Sequence, residues 1–185
     1  TDTVEAKTPA GVYIVDDDFT GTTLKNGGAV TNDATFSAGS GFVRLMPEIT
    51  GSYGQLRYTS SITGDLTNDW KVEFDFTLTD AGGSEGRSIF FYKQNTDPAN
   101  ISGMFENNST GYAFSLLAAD IFNPNLVSVR YAGAAIPGAP TVPIAPDLQY
   151  DIPQRMRVSC TGNTNFTFEL INPQTDAVIF TYSFI

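Results

Sequence analysis

The sequence predicts an all-β fold, and three observations carry that expectation. Apolar and polar residues alternate with a period of two from one end to the other, Gly- and Asn-rich turn stretches separate the runs, and helical spacing is nearly absent. The chain has 185 residues, 41% of them hydrophobic, with 14 Phe and 8 Tyr, enough to build one large core. Many short strands without helices point to two packed antiparallel sheets, a β-sandwich of jelly-roll type. The expected organisation is an arm over residues 1–11 and a single sandwich domain over 12–185.

The arm is polar, carries Val4 and Ala6 on one side, and runs into a hinge at Pro9-Ala10-Gly11. Strands are expected at Val12–Phe19, Phe42–Met46, Tyr53–Thr59, Trp70–Leu78, Arg87–Lys93, Gly111–Ala118, Leu126–Tyr131, Arg155–Cys160, Asn165–Ile171 and Ala177–Phe184. The clearest is Trp70–Leu78, in which Trp70, Val72, Phe74, Phe76 and Leu78 share one face and Lys71, Glu73, Asp75 and Thr77 the other. The first face is predicted to be core and the second to be a solvated polar face. In the loop 133–153, Pro137, Pro140, Pro143 and Pro146 fall at every third residue, the repeat of a polyproline II helix. With Ile136, Val142 and Ile144 beside them, the expectation is a stiff segment lying over the end or edge of a sheet. Cys160 alternates with Met156 and Val158, which predicts a buried, inert thiol.

Charge and composition exclude several functions. Ten basic residues against 20 acidic ones leave a net charge of −10, which opposes nucleic acid and anionic membrane surfaces. No apolar run is long enough to cross a bilayer, so no membrane insertion is expected. The chain has no histidine, which removes Ser-His-Asp and Cys-His nucleophilic sites and His-ligated zinc. Sequons at Asn100, Asn107, Asn108 and Asn165 are candidate glycosylation sites and favour a secreted or cell-surface protein. Asn165 is expected to point away from Phe166 and Phe168, so that a glycan there reaches solvent.

Three stretches carry a resemblance: Asp17-Asp18-Phe19-Thr20-Gly21, the strand from Trp70 to Phe76, and Gly111-Tyr112-Ala113-Phe114-Ser115-Leu116-Leu117-Ala118. Together they resemble the concanavalin A-like lectin/glucanase superfamily, which includes laminin-G-like modules, from about Val12 onward. The resemblance implies a jelly-roll fold; the superfamily's members include lectins, glycosidases, polysaccharide lyases and adhesion modules. Where legume-type lectins place a sugar-binding Asp before the Gly-x-Ala-Phe stretch, this chain has Thr110. Their acidic metal ligands on the next strand are replaced by Leu126-Val127-Ser128-Val129-Arg130-Tyr131. The glucanase pattern Glu-x-Asp-x-x-Glu begins at Glu73 and Asp75 but meets Leu78 at its third acid.

No catalytic residues are therefore assigned. Candidate carbohydrate contacts are Tyr112 with Asn107 and Asn108, since sugar binding needs an aromatic platform beside amide groups. Asp16, Asp17 and Asp18, with Asp176 as a remote partner, offer hard oxygen ligands of the kind that hold a structural Ca²⁺. Adjacent aspartates on a strand point to opposite faces, so a solvated acidic edge is the alternative. The chain finishes with an alternating apolar run, Ala177 to Ile185. The resulting expectation is a non-catalytic extracellular protein that self-associates through its terminal strands, as a structural or adhesive subunit of a surface fibre or other filament. The alternative is a carbohydrate-binding module.

Overall fold

The computed structural model describes residues 4–7, 13–25, 27–45, 47, 54–58, 69–78, 87–93, 112–118, 126–131, 134–135, 142–143, 151–162 and 165–184. Its strands are β1 (Val4–Lys7), β2 (Tyr13–Asp17), β3 (Gly28–Asn32), β4 (Thr35–Phe36), β5 (Val43–Arg44), β6 (Gly54–Tyr58), β7 (Trp70–Phe76) and β8 (Arg87–Lys93). They continue with β9 (Tyr112–Ala118), β10 (Leu126–Tyr131), β11 (Ala134–Ala135), β12 (Val142–Pro143), β13 (Gln154–Thr161), β14 (Asn165–Ile171) and β15 (Val178–Phe184). The described part of the protein is all-β, with antiparallel pairing in every sheet for which the register is resolved.

The chain divides into two compact units. The first comprises Thr1–Leu78 and Ile152–Ser183 with Ile185, and the second Thr79–Asp151 with Phe184. The first unit holds a six-stranded sheet in the order β15-β14-β13-β7-β1-β2, and the small pairs β3-β6 and β4-β5. Period-two patterning gives the large sheet one apolar face, and the register aligns its residues into rows. Phe166, Cys160 and Trp70 form one row; Phe168, Val158 and Val72 the next; Leu170, Met156 and Phe74 a third. Ala6 and Val15 continue the second row in register across β1 and β2. Met156, Val158, Phe168 and Leu170 are fully buried, and each such side chain contributes about 1.5–3 kcal/mol relative to exposure. Trp70 meets Phe166 edge-on at 6.3 Å, and Phe168 meets Phe180 likewise at 6.4 Å. Cys160 is a buried free thiol in this layer.

The expected arm contains β1, which lies inside the sheet between β7 and β2 of its own chain. Its Glu5 faces Glu73 on one side and Asp16 on the other. The solvated polar face expected on β7 is also different in kind: Glu73 is buried, because arginines on β13 cover it. Phe74 and Phe76 are half-buried, less enclosed than Trp70 and Val72.

In the second unit the order is β11-β10-β9-β8, with β12 also pairing β10. Both short strands come from the proline-rich stretch 133–153. Ala134 and Ala135 face Tyr131 and Arg130, and Val142 and Pro143 face Val127 and Leu126, so these four residues lie along one side of β10.

One glycine is required by close backbone approach. A Cβ on Gly54 in β6 would overlap the Leu45 carbonyl oxygen and come within 2.6 Å of the Ala34 amide nitrogen. Both obstacles are main chain and cannot rotate away. Gly54→Ala is expected to destabilise the first unit by roughly 2–3 kcal/mol, read from the shift of the denaturant midpoint.

Candidate functional site

Two clusters of charge occur among the described residues of the first unit, and acids in each were singled out from the sequence. The first lies where β2 ends. Asp17 is almost fully enclosed, at 1% exposure, and its carboxylate accepts three hydrogen bonds. Oδ1 takes the Phe19 amide at 3.0 Å, while Oδ2 takes the Lys25 amide at 2.7 Å and the Tyr58 hydroxyl of β6 at 3.0 Å. Burial first, and then the Asp17 carboxylate as acceptor, hold the Tyr58 phenol protonated well above its ordinary range. Asp18 is turned outward: its Oδ1 accepts from the Thr20 amide at 3.2 Å and hydroxyl at 2.9 Å, and pairs with Lys25 Nζ at 3.1 Å. Those bonds, the Thr20 amide foremost, lower its pKa to about 2.

The local sequence explains this knot. An Asp side chain readily bonds the amide two residues on, and Asp17 and Asp18 do so in succession. The turn forces Phe19 to φ 58°, a left-handed conformation uncommon for a bulky residue. Phe19 is nevertheless buried, and its carbonyl accepts from the Gly41 amide at 3.0 Å. Burial and hydrogen bonds together offset the backbone cost, of order 1–3 kcal/mol.

Of the four candidate calcium ligands, the three whose side chains are described, Asp17, Asp18 and Asp176, are not brought together as a set. Both oxygens of Asp17 and Oδ1 of Asp18 accept from the donors just named, and Asp176 pairs with Arg155 at 3.5 Å. The side chain of Asp16 lies outside the described residues, and its backbone faces Glu5. Among the described residues no group of three or more His, Cys, Asp or Glu is placed to hold a metal ion.

The second cluster is a ladder across β7, β13 and β14. Arg155 faces Asp75 in register and grips it with two bonds, the Nη2 bond being 3.0 Å. Arg157 lies between Glu73 and Glu169, bonding Glu73 through Nε and Glu169 through Nη1 at 3.3 Å. Lys71 Nζ adds a contact to Glu73 Oε2 at 3.3 Å. Burial pushes the Glu73 carboxyl up, but Arg157, by hydrogen bond and charge, and Lys71 outweigh it, so it titrates below its ordinary value. A general acid needs the opposite shift. Glu73 is thus held as an anion, and Asp75, the other acid that began a glucanase-like pattern, is ion-paired with Arg155.

The remaining candidates are less informative. Tyr112 opens β9, its backbone facing Lys93 and Tyr131; its side chain lies outside the described residues, as do Asn100, Asn107 and Asn108. Asn165 opens β14 and is exposed, next to the buried Phe166. Two features escaped sequence reasoning: Tyr58 as the partner of Asp17, and Arg155 and Arg157 as the residues that cover β7. The signal for the second was present, since arginines at alternate positions of β13 share the parity of Glu73 and Asp75 once the register is known.

The last strand, β15, forms one side of the six-stranded sheet, with β14 as its hydrogen-bonded neighbour among the described residues. Val178 is half exposed, at 49%, and Thr181 and Ser183 are exposed. The Asn172 side chain, accepting from the Gln174 and Thr175 amides, shapes the turn that leads into it.

No family model matches this chain, and no curated protein matches it. Among solved structures, a protein of unknown function from Shewanella oneidensis MR-1 is similar, with a TM-score of 0.54 at 11% identity. The match covers 100% of this chain and 71% of that one. At such identity the likeness concerns the fold alone. Among the described residues no helix is long and apolar enough to cross a membrane.

Proposed function

We propose that this chain is a non-catalytic extracellular β-sandwich protein, a structural or adhesive subunit that self-associates into a surface fibre or other filament through its terminal strands. The observation that carries the reading is β15, which forms one side of the six-stranded sheet among the described residues and has neither charge nor proline along its seven residues. Charge and proline are the usual deterrents to pairing with a strand of another chain, and this strand carries neither. The proposed architecture is a jelly-roll sandwich of the concanavalin A-like kind, because a sheet with one fully apolar face needs a second layer to cover it. Absence of catalysis is supported by the state of Glu73 and Asp75, which are paired with Arg157 and Arg155. An extracellular location is supported by the exposed sequon at Asn165.

The test is the particle formed by the full chain at micromolar concentration, measured by light scattering and negative-stain imaging. Wild type is expected to run as an oligomer. Thr181→Lys, at an exposed position of β15, is expected to reduce it to a monomer with an unchanged circular-dichroism spectrum. A wild-type monomer would overturn the assembly reading in favour of a carbohydrate-binding module.

A further inference from the structure

Charged residues that face one another across β7, β13 and β14 are opposite in sign. Arg155 faces Asp75, and Arg157 faces Glu73 on one side and Glu169 on the other. Across β1 the facing charges are alike. The register sets Glu5 opposite Glu73 on β7 and opposite Asp16 on β2, and it sets Lys7 opposite Lys71. Like charges directly opposite in an antiparallel pair weaken it. The complementary positions, Lys71 for Glu5 and Glu73 for Lys7, stand on the diagonal, about 7–8 Å away against about 4.5–5.5 Å for facing ones. Arg155 and Arg157, the arginines paired with Glu73, reach it from β13, on the side of β7 away from β1.

The strands on either side of β1 are anchored without it. β7 is tied to β13 by the Arg155–Asp75 and Arg157–Glu73 ion pairs. β2 ends in Asp17, whose carboxylate holds the Phe19 and Lys25 amides and the Tyr58 hydroxyl of β6. β1 is four residues long and pairs on both sides, so the place it occupies is a slot with two pairing walls. We infer that β1 is a displaceable strand, and that its slot accepts an extended segment of a different protein with a basic residue at the position of Glu5 and an acidic residue at the position of Lys7. Such a segment turns all three like-charge pairs into opposite ones. Main-chain hydrogen bonds to β7 and β2 supply affinity whatever the sequence, and the two charges supply selectivity. A small apolar residue at the position of Ala6, between Val72 and Val15, keeps the register. The partner differs from the second copy proposed above, and its binding does not depend on self-assembly.

Two synthetic peptides spanning residues 1–9 test this, each with Ala6→Cys, one otherwise native and one also with Glu5→Lys and Lys7→Glu. Their net charges are equal, so any general attraction or repulsion by a chain of net charge −10 is the same for both. Each is offered under mild oxidation to the full chain carrying Cys160→Ala and Val72→Cys, since facing Cα atoms lie about 4.5–5.5 Å apart, within disulfide reach. The charge-reversed peptide is expected to cross-link at a concentration about tenfold lower than the native one. Raising the salt from about 0.1 M to about 1 M should narrow that difference. In the full chain, Glu5→Lys/Lys7→Glu should raise the denaturant midpoint and exclude the reversed peptide, because its own β1 then suits the slot. No cross-link from either peptide to a folded chain would overturn the displaceable strand, and equal cross-linking would overturn the charge selection. Disulfide-linked oligomers of a full chain carrying both Ala6→Cys and Val72→Cys would make β1 of a second copy the occupant and overturn the choice of partner. Circular dichroism establishes that each variant is folded. Anisotropy of the labelled peptides on the chain with Val72 intact gives the same comparison where Val72→Cys does not fold.

Discussion

Asp17→Ala is expected to lower the stability of the protein by about 3–5 kcal/mol, because it leaves the Phe19 and Lys25 amides and the Tyr58 hydroxyl without their shared acceptor. Each buried donor stranded in this way costs roughly 1–3 kcal/mol, less whatever water can recover. Tyr58→Phe removes only one of the three bonds and should cost nearer 1 kcal/mol. Asp18→Ala should change little, since that carboxylate is half-exposed and its partners Thr20 and Lys25 are exposed. Urea denaturation of the three variants gives the ranking directly. Equal effects of Asp17→Ala and Asp18→Ala would refute the knot as the reason for the aspartate cluster. Added Ca²⁺ is expected to leave the wild-type melting temperature unchanged, and a rise would assign these acids to a metal instead.

Arg157→Met should be comparably damaging, at about 3–5 kcal/mol, because it strands the buried Glu73 without its principal counter-charge. The double variant Glu73→Gln/Arg157→Met is expected to recover most of that loss, since removing both charges also removes their desolvation cost. The pair further predicts a direction with pH. Glu73 titrates in the folded protein below its ordinary value. Its contribution is therefore fully present above the unfolded value, near ~4.3, and is lost as pH falls through the lower folded value. Asp18, lowered to about 2, acts in the same direction, although its contact with solvent leaves it screened. The stability difference between wild type and Glu73→Gln should be constant from neutral pH down to about 5 and shrink below that. A difference that grows on acidification would contradict the ion-pair assignment. The same variant separates structure from catalysis: Glu73→Gln should change stability and leave any polysaccharide-cleaving activity at background.

Individual strands show how much of the fold the sequence carried. β8, β10 and β14 fall where the sequence placed them, to the residue, because β10 and β14 alternate with a period of two and β8 is a short apolar run closed by charge at both ends. β13 and β15 fall within a residue or so of expectation for the same reason. β3, reading Gly28 to Asn32, was missed: it holds one large apolar residue, Val30, and its pairing to β6 rests on main-chain bonds, which have no side-chain signature. β11 and β12 were hidden by prolines, which read locally as a loop while the exposed edge of β10 recruits them as partners. β1 was read as an arm because four residues are too few to declare a strand alone, and its place depends on the slot between β7 and β2.

The candidate sites divide the same way. Burial of Cys160, the apolar row through Trp70 and Val72, and exposure of Asn165 are consequences of side-chain parity along one strand, and parity is written in the sequence. By itself, then, the sequence determined the all-β class, most strands, and which apolar residues of β7, β13 and β14 turn inward. Only the tertiary structure decided what meets what: that Tyr58, 41 positions away, satisfies Asp17, and that Arg155 and Arg157, some 80 positions on, cover Asp75 and Glu73. Sheet order and register set those pairings, and they come from long-range main-chain hydrogen bonds that are the same for every residue type, so no local pattern encodes them.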